Sequence, residues 1–282
     1  MCKQLYRLAN NEAGCHVNDI SSAAKKKTSK TDSANGEMDN WSPTMNKAET
    51  SIPVLLLCGG KGNRLKPMTD TRPKPLVEIK GRPILHYIIQ QFQSAGFRRF
   101  VIGVGYKAEM IQAYIDKEHA DLDVKLVDSE DADIIRRVAD AAPYLDNDFM
   151  ISYGDTLADV NFPELIRFHH SHKGCLTVTT YPLKSPFGIL ETAPDGLVKE
   201  FAEKPVINNK WINIGYFYAD RAVLDQGLQN YANFVDFLNA SILRKELYGF
   251  KHSGMHITVN NVKELLEAEE NIDEFQKTLG VF

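Results

Sequence analysis

The sequence predicts an α/β fold with a mixed, mainly parallel central sheet, on three observations. From Ile52 onward, apolar runs of strand length alternate with segments of helical period, the pattern of βαβ units on a sheet covered on both faces. A glycine-rich stretch follows the first apolar run directly. Past Asp155 the rhythm shifts to short runs separated by Pro194-Asp195-Gly196 and Lys204-Pro205, which predicts a small antiparallel extension. The layout is Rossmann-like.

The parallel strands are expected at 54–57, 100–104, 124–127 and 149–153, where apolar residues run almost without interruption. Helical patterns lie between them at 84–95, 108–119 and 133–142. A helix over 162–172 leads to a strand at 175–181, followed by short strands at 188–191, 197–201 and 212–218. Helices at 235–247 and 262–279 close the chain. In the last of these, Val262, Leu265, Leu266, Ala268, Ile272, Phe275 and Leu279 recur at helical spacing and are expected to face the core.

Residues 1–51 are different in kind. They hold four Leu, Ile, Val or Phe residues, with seven basic and six acidic ones. Such a segment buries too little apolar area to offset its ordering entropy, so a mostly disordered or loosely docked extension is expected, with a short helix possible over 3–10. The domain proper is expected over 52–282.

Composition excludes several function classes. The formal net charge of −4 lacks the broad basic surface that duplex nucleic acid requires. The longest apolar run, 52–58, contains Pro53 and is far too short to span a bilayer. Cys2, Cys15, Cys58 and Cys175 form no C-x-x-C motif, and the N-terminus has no apolar secretory core. A cytoplasmic location with neither nucleic-acid nor membrane partner is the expectation.

The sharpest local feature is Leu57-Cys58-Gly59-Gly60-Lys61-Gly62-Asn63-Arg64-Leu65. Three glycines in four positions let the backbone approach a ligand and turn successive N–H groups into one anion-binding concavity. A dinucleotide fingerprint would need glycine where Leu65 stands, and no Walker A spacing exists. Alone, the stretch could be a tight turn. Arg72-Pro73-Lys74-Pro75-Leu76 follows closely, with prolines expected to hold the backbone extended around Lys74. Arg64 offers a planar fork to phosphate oxygens and Lys74 a compact charge.

These segments resemble the signature of sugar-1-phosphate nucleotidyltransferases, with Cys58 and Asn63 in place of the usual Ala and Thr. The resemblance covers 52–282. It is strongest to glucose-1-phosphate cytidylyltransferases through Val104-Gly105-Tyr106-Lys107, Arg136-Arg137-Val138, the segment from Tyr153 to Asp159, and Phe187-Gly188. It implies a three-layer nucleotidyltransferase fold with a sugar-binding antiparallel extension, a nucleoside triphosphate and a sugar 1-phosphate as substrates, Mg²⁺ as cofactor, and a homo-oligomer. The implied nucleotide residues are Leu57, Cys58, Gly59, Gly60, Gly62, Asn63, Arg64, Lys74, Gly105, Tyr106 and Gly154. Asp155 matches the aspartate that binds magnesium. Gly188, Glu203, Lys204, Asn213 and Gly215 match the sugar-phosphate pocket, so Arg64, Lys74, Asp155 and Lys204 are the implied catalytic set.

Two departures stand out. The second metal carboxylate of the family, found in a W-x-x-x-D or similar context, corresponds to Asn260, whose amide can ligate Mg²⁺ but brings no charge. A Thr- and Gly-rich loop over the nucleotide is replaced by Asp128-Ser129-Glu130-Asp131-Ala132-Asp133. That loop is expected to be a solvated acidic turn; the sharper alternative has one of its carboxylates replacing the missing ligand or selecting a cationic acceptor. His169, His170 and His172 lack a shared face and further ligands, and are expected to line an exposed helix end.

The implied reaction is attack of the acceptor phosphate on the α-phosphorus with release of pyrophosphate, driven by positioning and charge stabilisation. CTP and glucose 1-phosphate are the expected pair, with dTTP, UTP and GTP open. Two alternatives remain at this stage: a cytidylyltransferase for a non-sugar phosphate or phosphonate, and a catalytically weak regulatory homologue that binds nucleotide sugars.

Overall fold

In chain order the elements are α1 (Lys47–Thr50), β1 (Val54–Leu57), α2 (Met68–Thr71), β2 (Glu78–Ile79), β3 (Arg82–Pro83), α3 (Ile84–Ser94), β4 (Arg99–Val104), α4 (Ala108–Glu118), β5 (Asp123–Asp128), α5 (Ile134–Ala141) and β6 (Asp148–Tyr153). The second half adds β7 (Thr156–Ala158), α6 (Phe162–His170), β8 (Leu176–Lys184), β9 (Ile189–Thr192), β10 (Val198–Ala202), β11 (Val206–Asp220), α7 (Ala222–Asp225), α8 (Phe234–Leu243), β12 (Leu247–Lys251), β13 (His256–Thr258) and α9 (Val262–Thr278). The computed structural model describes Met45 and residues 47–280. The helix expected over 3–10 lies outside the described residues. Within the extension, Lys47–Thr50 form a helical turn and Met45 packs on the core.

One seven-stranded sheet organises the molecule, in the order β12-β8-β11-β6-β1-β4-β5. β6, β1, β4 and β5 are mutually parallel, and only β11 runs against the others. From β1 the chain steps outward through β4 to β5, then returns to the opposite side of β1 as β6. That reversal makes the carboxyl ends of β1 and β6 a topological switch point, where the loops splay apart and leave a crevice. Leu57 and Tyr153 face each other in register at its floor.

The apolar continuity of β1 follows from burial on both faces. Val54 and Leu56 join a core containing Ile88, Phe92, Ile102 and Phe162, while Leu55 joins Val101, Val138, Phe149 and Phe217 on the other side. Tyr216 is fully buried between β11 and α3; its hydroxyl lies 2.8 Å from Gln91 Oε1 and accepts the Ala158 N–H at 3.1 Å, so its polar end is satisfied.

Four elements of the fold differ from sequence expectation. α8 ends at Leu243 rather than 247, because Lys245 turns left-handed at φ 60° and Glu246 N–H bonds back to Ser241 O; the next residues form β12 beside β8. β9 and β10 form a separate two-stranded ribbon around the Pro-Asp-Gly turn, while β8 and β11 widen the central sheet. On α9 the buried stripe is Leu265, Ala268, Ile272 and Phe275; Val262 and Leu266 are exposed, Leu266 falling about 100° past the stripe. His169 is buried, not exposed, with Nδ1 2.9 Å from Thr177 Oγ1, because α6 lies across β8 with that side inward.

Candidate active site

The crevice at the switch point is a cavity of about 360 Å³. Leu57 is the last residue of β1 and Cys58, Gly59 and Gly60 come from the loop after it, Gly154 and Asp155 from the turn after β6, and Lys74 and Pro75 from the segment between α2 and β2. The remaining wall is Asp131 to Ile134, Arg137 and Tyr153.

The glycine loop leaves β1 through Cys58, whose N–H bonds to Gly103 O at 2.8 Å. Gly62 has φ 63° and begins the short 3-10 turn Asn63–Leu65, which swings Arg64 outward and sinks Leu65 into the core. A side chain at Gly62 would also press on Lys74, whose Cβ would be 2.9 Å from the added Cβ. The loop and Lys74 are therefore packed against each other. Around Lys74 the backbone is not extended as expected: Pro73 is, but Lys74–Leu76 close a second 3-10 turn, and the lysine is 9% exposed.

Its ammonium points at the end of β6. Lys74 Nζ lies 2.5 Å from Asp155 Oδ2 and 3.0 Å from Asn260 Oδ1. Arg64 Nη2 reaches the same Asn260 oxygen at 3.2 Å. Asp155 and Asn260 are brought together by β7 and β13, paired antiparallel with Thr156 opposite Thr258, and Val259 N–H bonds to Asp155 O at 3.1 Å. Two cations, one carboxylate and one amide thus converge beside the glycine loop.

Arg137 is a site residue that sequence reasoning left unassigned. It is 5% exposed on α5, with no carboxylate among its hydrogen-bond partners. Its guanidinium donates to Val104 O, to Gly59 O at 3.3 Å and to Glu130 O at 2.8 Å. Burial lowers its pKa, opposed by the charges of Asp128, Asp131 and Asp133. Burial also pushes the Cys58 thiol well above its ordinary value, with the Asp155 charge adding to the effect, so Cys58 stays protonated and is no nucleophile.

The acidic loop is only partly a solvated turn. Asp131 reaches across to Lys61 at 2.5 Å. Asp133 caps α5 by accepting the Ile135 N–H at 3.0 Å and also takes the Phe234 N–H at 3.2 Å. Among the described residues, no group of three or more His, Cys, Asp or Glu is arranged to hold a metal ion. Asp155 and the Asn260 oxygen are the donors that converge, and this pair suits a hard cation whose remaining positions come from phosphate and water.

The other expected residues divide. Tyr106 donates to Thr69 O at 3.1 Å, and Gly105 lies against Glu130 O and the Arg137 guanidinium, so both brace the wall rather than line it. Gly215, at φ 83°, forms a bulge in β11 and lies against the Tyr153 ring; Asn213 Oδ1 accepts its N–H at 2.8 Å while Asn213 Nδ2 donates to the Tyr153 hydroxyl at 3.3 Å. Gly188 sits under Phe201 and Glu203 at the ribbon base. Glu203 and Lys204 are exposed at the end of β10 and do not line the cavity.

Comparison with known proteins adds four likenesses. Residues 53–275 match the nucleotidyl transferase family model. The probable glucose-1-phosphate cytidylyltransferase of Bacillus subtilis (strain 168) is 31% identical over 256 residues, covering 82% of this chain and 100% of that protein. The mannose-1-phosphate guanylyltransferase catalytic subunit beta of Drosophila pseudoobscura pseudoobscura is 29% identical over 227 residues, 76% of this chain and 60% of its own length. HddC from Yersinia pseudotuberculosis shares the fold, with a TM-score of 0.60 at 22% identity over 78% of this chain and 99% of that one.

Proposed function

Since the chain belongs to the nucleotidyl transferase family and is a sugar-1-phosphate nucleotidyltransferase, we propose that it joins CTP to glucose 1-phosphate, giving a nucleotide sugar and pyrophosphate. The observation that carries this reading is the convergence of Arg64, Lys74 and Asp155 around Asn260 beside the glycine loop. That is a receptor for a polyphosphate with a position for a hard cation.

In the reaction an oxygen of the acceptor phosphate attacks the α-phosphorus, and the bond to the bridging oxygen of pyrophosphate breaks in line. No protein nucleophile is required. The Gly59 and Gly60 backbone borders the triphosphate, Arg64 takes its outer oxygens, and Lys74 stabilises charge at the α-phosphate. Lys204, carried on the ribbon, is assigned to the incoming phosphate. Asp155 and Asn260 would hold magnesium, which would offset the negative charge of the phosphates.

The far wall supports the base assignment. Carboxylates at Asp131 and Asp133, with the Arg137 guanidinium between α5 and the loop, suit a base with an exocyclic amino group. Cytosine and guanine carry one; uracil and thymine do not. CTP is preferred because the cytidylyltransferase likeness spans that whole relative. GTP is the second reading, since guanine also carries an exocyclic amino group and a mannose-1-phosphate guanylyltransferase subunit is among the relatives.

A screen of pyrophosphate release tests this, using each NTP against glucose 1-phosphate, mannose 1-phosphate and an amino-alcohol phosphate. CTP with glucose 1-phosphate should turn over fastest. Preference for UTP or dTTP would overturn the amino-group argument, and preference for the amino-alcohol would overturn the sugar. Tight nucleotide binding without turnover on any pair would sink the catalytic reading.

A further inference from the structure

The amide of Asn260 is held in one orientation. Its Nδ2 donates to Thr258 Oγ1 at 2.7 Å, and its backbone N–H donates to Glu264 Oε2 at 2.9 Å, beside the cap of α9. Oδ1 therefore faces the two basic groups and accepts from both Lys74 and Arg64. An oxygen committed to two cations is a poor ligand for a third. The charge count agrees: of the charged side chains bonded to the Asn260 amide oxygen or to Lys74, the two cations Lys74 and Arg64 outnumber the carboxylate of Asp155, while Glu264 bonds the Asn260 backbone, so the groups around that oxygen carry one net positive charge.

Building on the nucleotide reading above, we propose that Asn260 makes this site an anion receptor first and a metal site second. Its neutral oxygen clamps Arg64 and Lys74 in place for the triphosphate, and a divalent cation is held only together with the phosphates. The bound polyphosphate draws Lys74 and Arg64 onto its own oxygens. That frees Asp155 Oδ2 and Asn260 Oδ1 to face the cation. An aspartate at 260 would cancel the net charge, grip the two basic groups more tightly and attract metal in advance.

The test uses the intact chain with two simple probes, Mn²⁺ alone and inorganic tripolyphosphate with EDTA, each followed by calorimetry. Wild type should take tripolyphosphate without metal and bind Mn²⁺ only weakly until tripolyphosphate is added. N260D should bind Mn²⁺ alone at least about tenfold more tightly and metal-free tripolyphosphate several-fold more weakly. N260A should leave Mn²⁺ binding weak and also weaken tripolyphosphate, because the clamp is gone. Tight Mn²⁺ binding by metal-free, phosphate-free wild type would overturn the proposal, as would an N260D protein with wild-type affinities. If N260D fails to fold, unchanged tripolyphosphate affinity in N260A refutes the clamp, and a several-fold loss supports it. None of these readouts needs turnover or a base, so a failed NTP screen would strike the reaction and leave this inference standing.

Discussion

The guanidinium of Arg137 occupies the space beside Gly59 that a Cβ there would fill, and it donates to the Gly59 carbonyl. One buried cation thus joins the glycine loop, the end of β4 at Val104 and the acidic loop at Glu130. R137M should leave three carbonyls without their donor and lower stability by about 2–4 kcal/mol in urea unfolding. It should also raise the nucleotide KM more than tenfold, while R137K, which keeps the charge but loses the fork, recovers part of the stability and little of the KM. A stability loss with an unchanged KM would make Arg137 a strut only.

Lys74 is the cation proposed to act at the reacting phosphate, and its packing against Gly62 helps fix the direction of its ammonium toward Asp155. K74M keeps the buried stem and removes the charge. We expect kcat/KM to fall about 10²–10³-fold, the scale of one preorganised donor in a partly dry site, with the circular dichroism spectrum unchanged. A drop of less than about fivefold would move the catalytic charge elsewhere.

Lys204 sits at φ 46° on an exposed ribbon end, outside the cavity wall. Its proposed work is on the acceptor, so K204A should raise the sugar-phosphate KM and leave nucleotide binding, measured by calorimetry, as in wild type. A parallel loss of nucleotide affinity would place Lys204 on the triphosphate instead.

How much of this was legible in the sequence depends on distance along the chain. β1, the glycine loop and the Gly154-Asp155 turn are contiguous signals, and a buried parallel strand followed by glycines leaves few alternatives. The meeting of Asp155 with Asn260 is different. It depends on β7 and β13, three residues each, too short for any periodicity to register, and only family resemblance pointed there. Arg137 did carry a signal: Ile134, Arg137, Val138 and Ala141 share the spacing of one helix face, and an arginine on an apolar stripe needs buried acceptors. β12 was hidden because the helical pattern of α8 runs on past a left-handed lysine, and a positive φ at a non-glycine residue has no marker in composition.

Two histidines, His169 buried and His256 half-buried, make the fold acid-sensitive. Burial pushes His169 down to about 3, with His172 and His170 reinforcing it, and pushes His256 down to about 4, with His252 adding to the effect. Both are neutral in the folded protein, and in the unfolded chain each takes up a proton near its ordinary value of 6.5. The unfolded state therefore binds more protons as pH falls, so stability is full above about pH 6.5 and declines below it, until each folded value is reached. The slope should approach about 1.4 kcal/mol per pH unit for each histidine. His252 acts in the opposite sense: burial lowers its pKa, but the hydrogen bond to Asp159 and that residue's charge together raise it, so its contribution is lost on the alkaline side. Urea unfolding of wild type and H169Q from pH 4.5 to 8 separates these terms. H169Q should lose about one histidine's share of the acid slope and leave the alkaline limb alone; an unchanged acid slope would mean that His169 is already protonated in the fold.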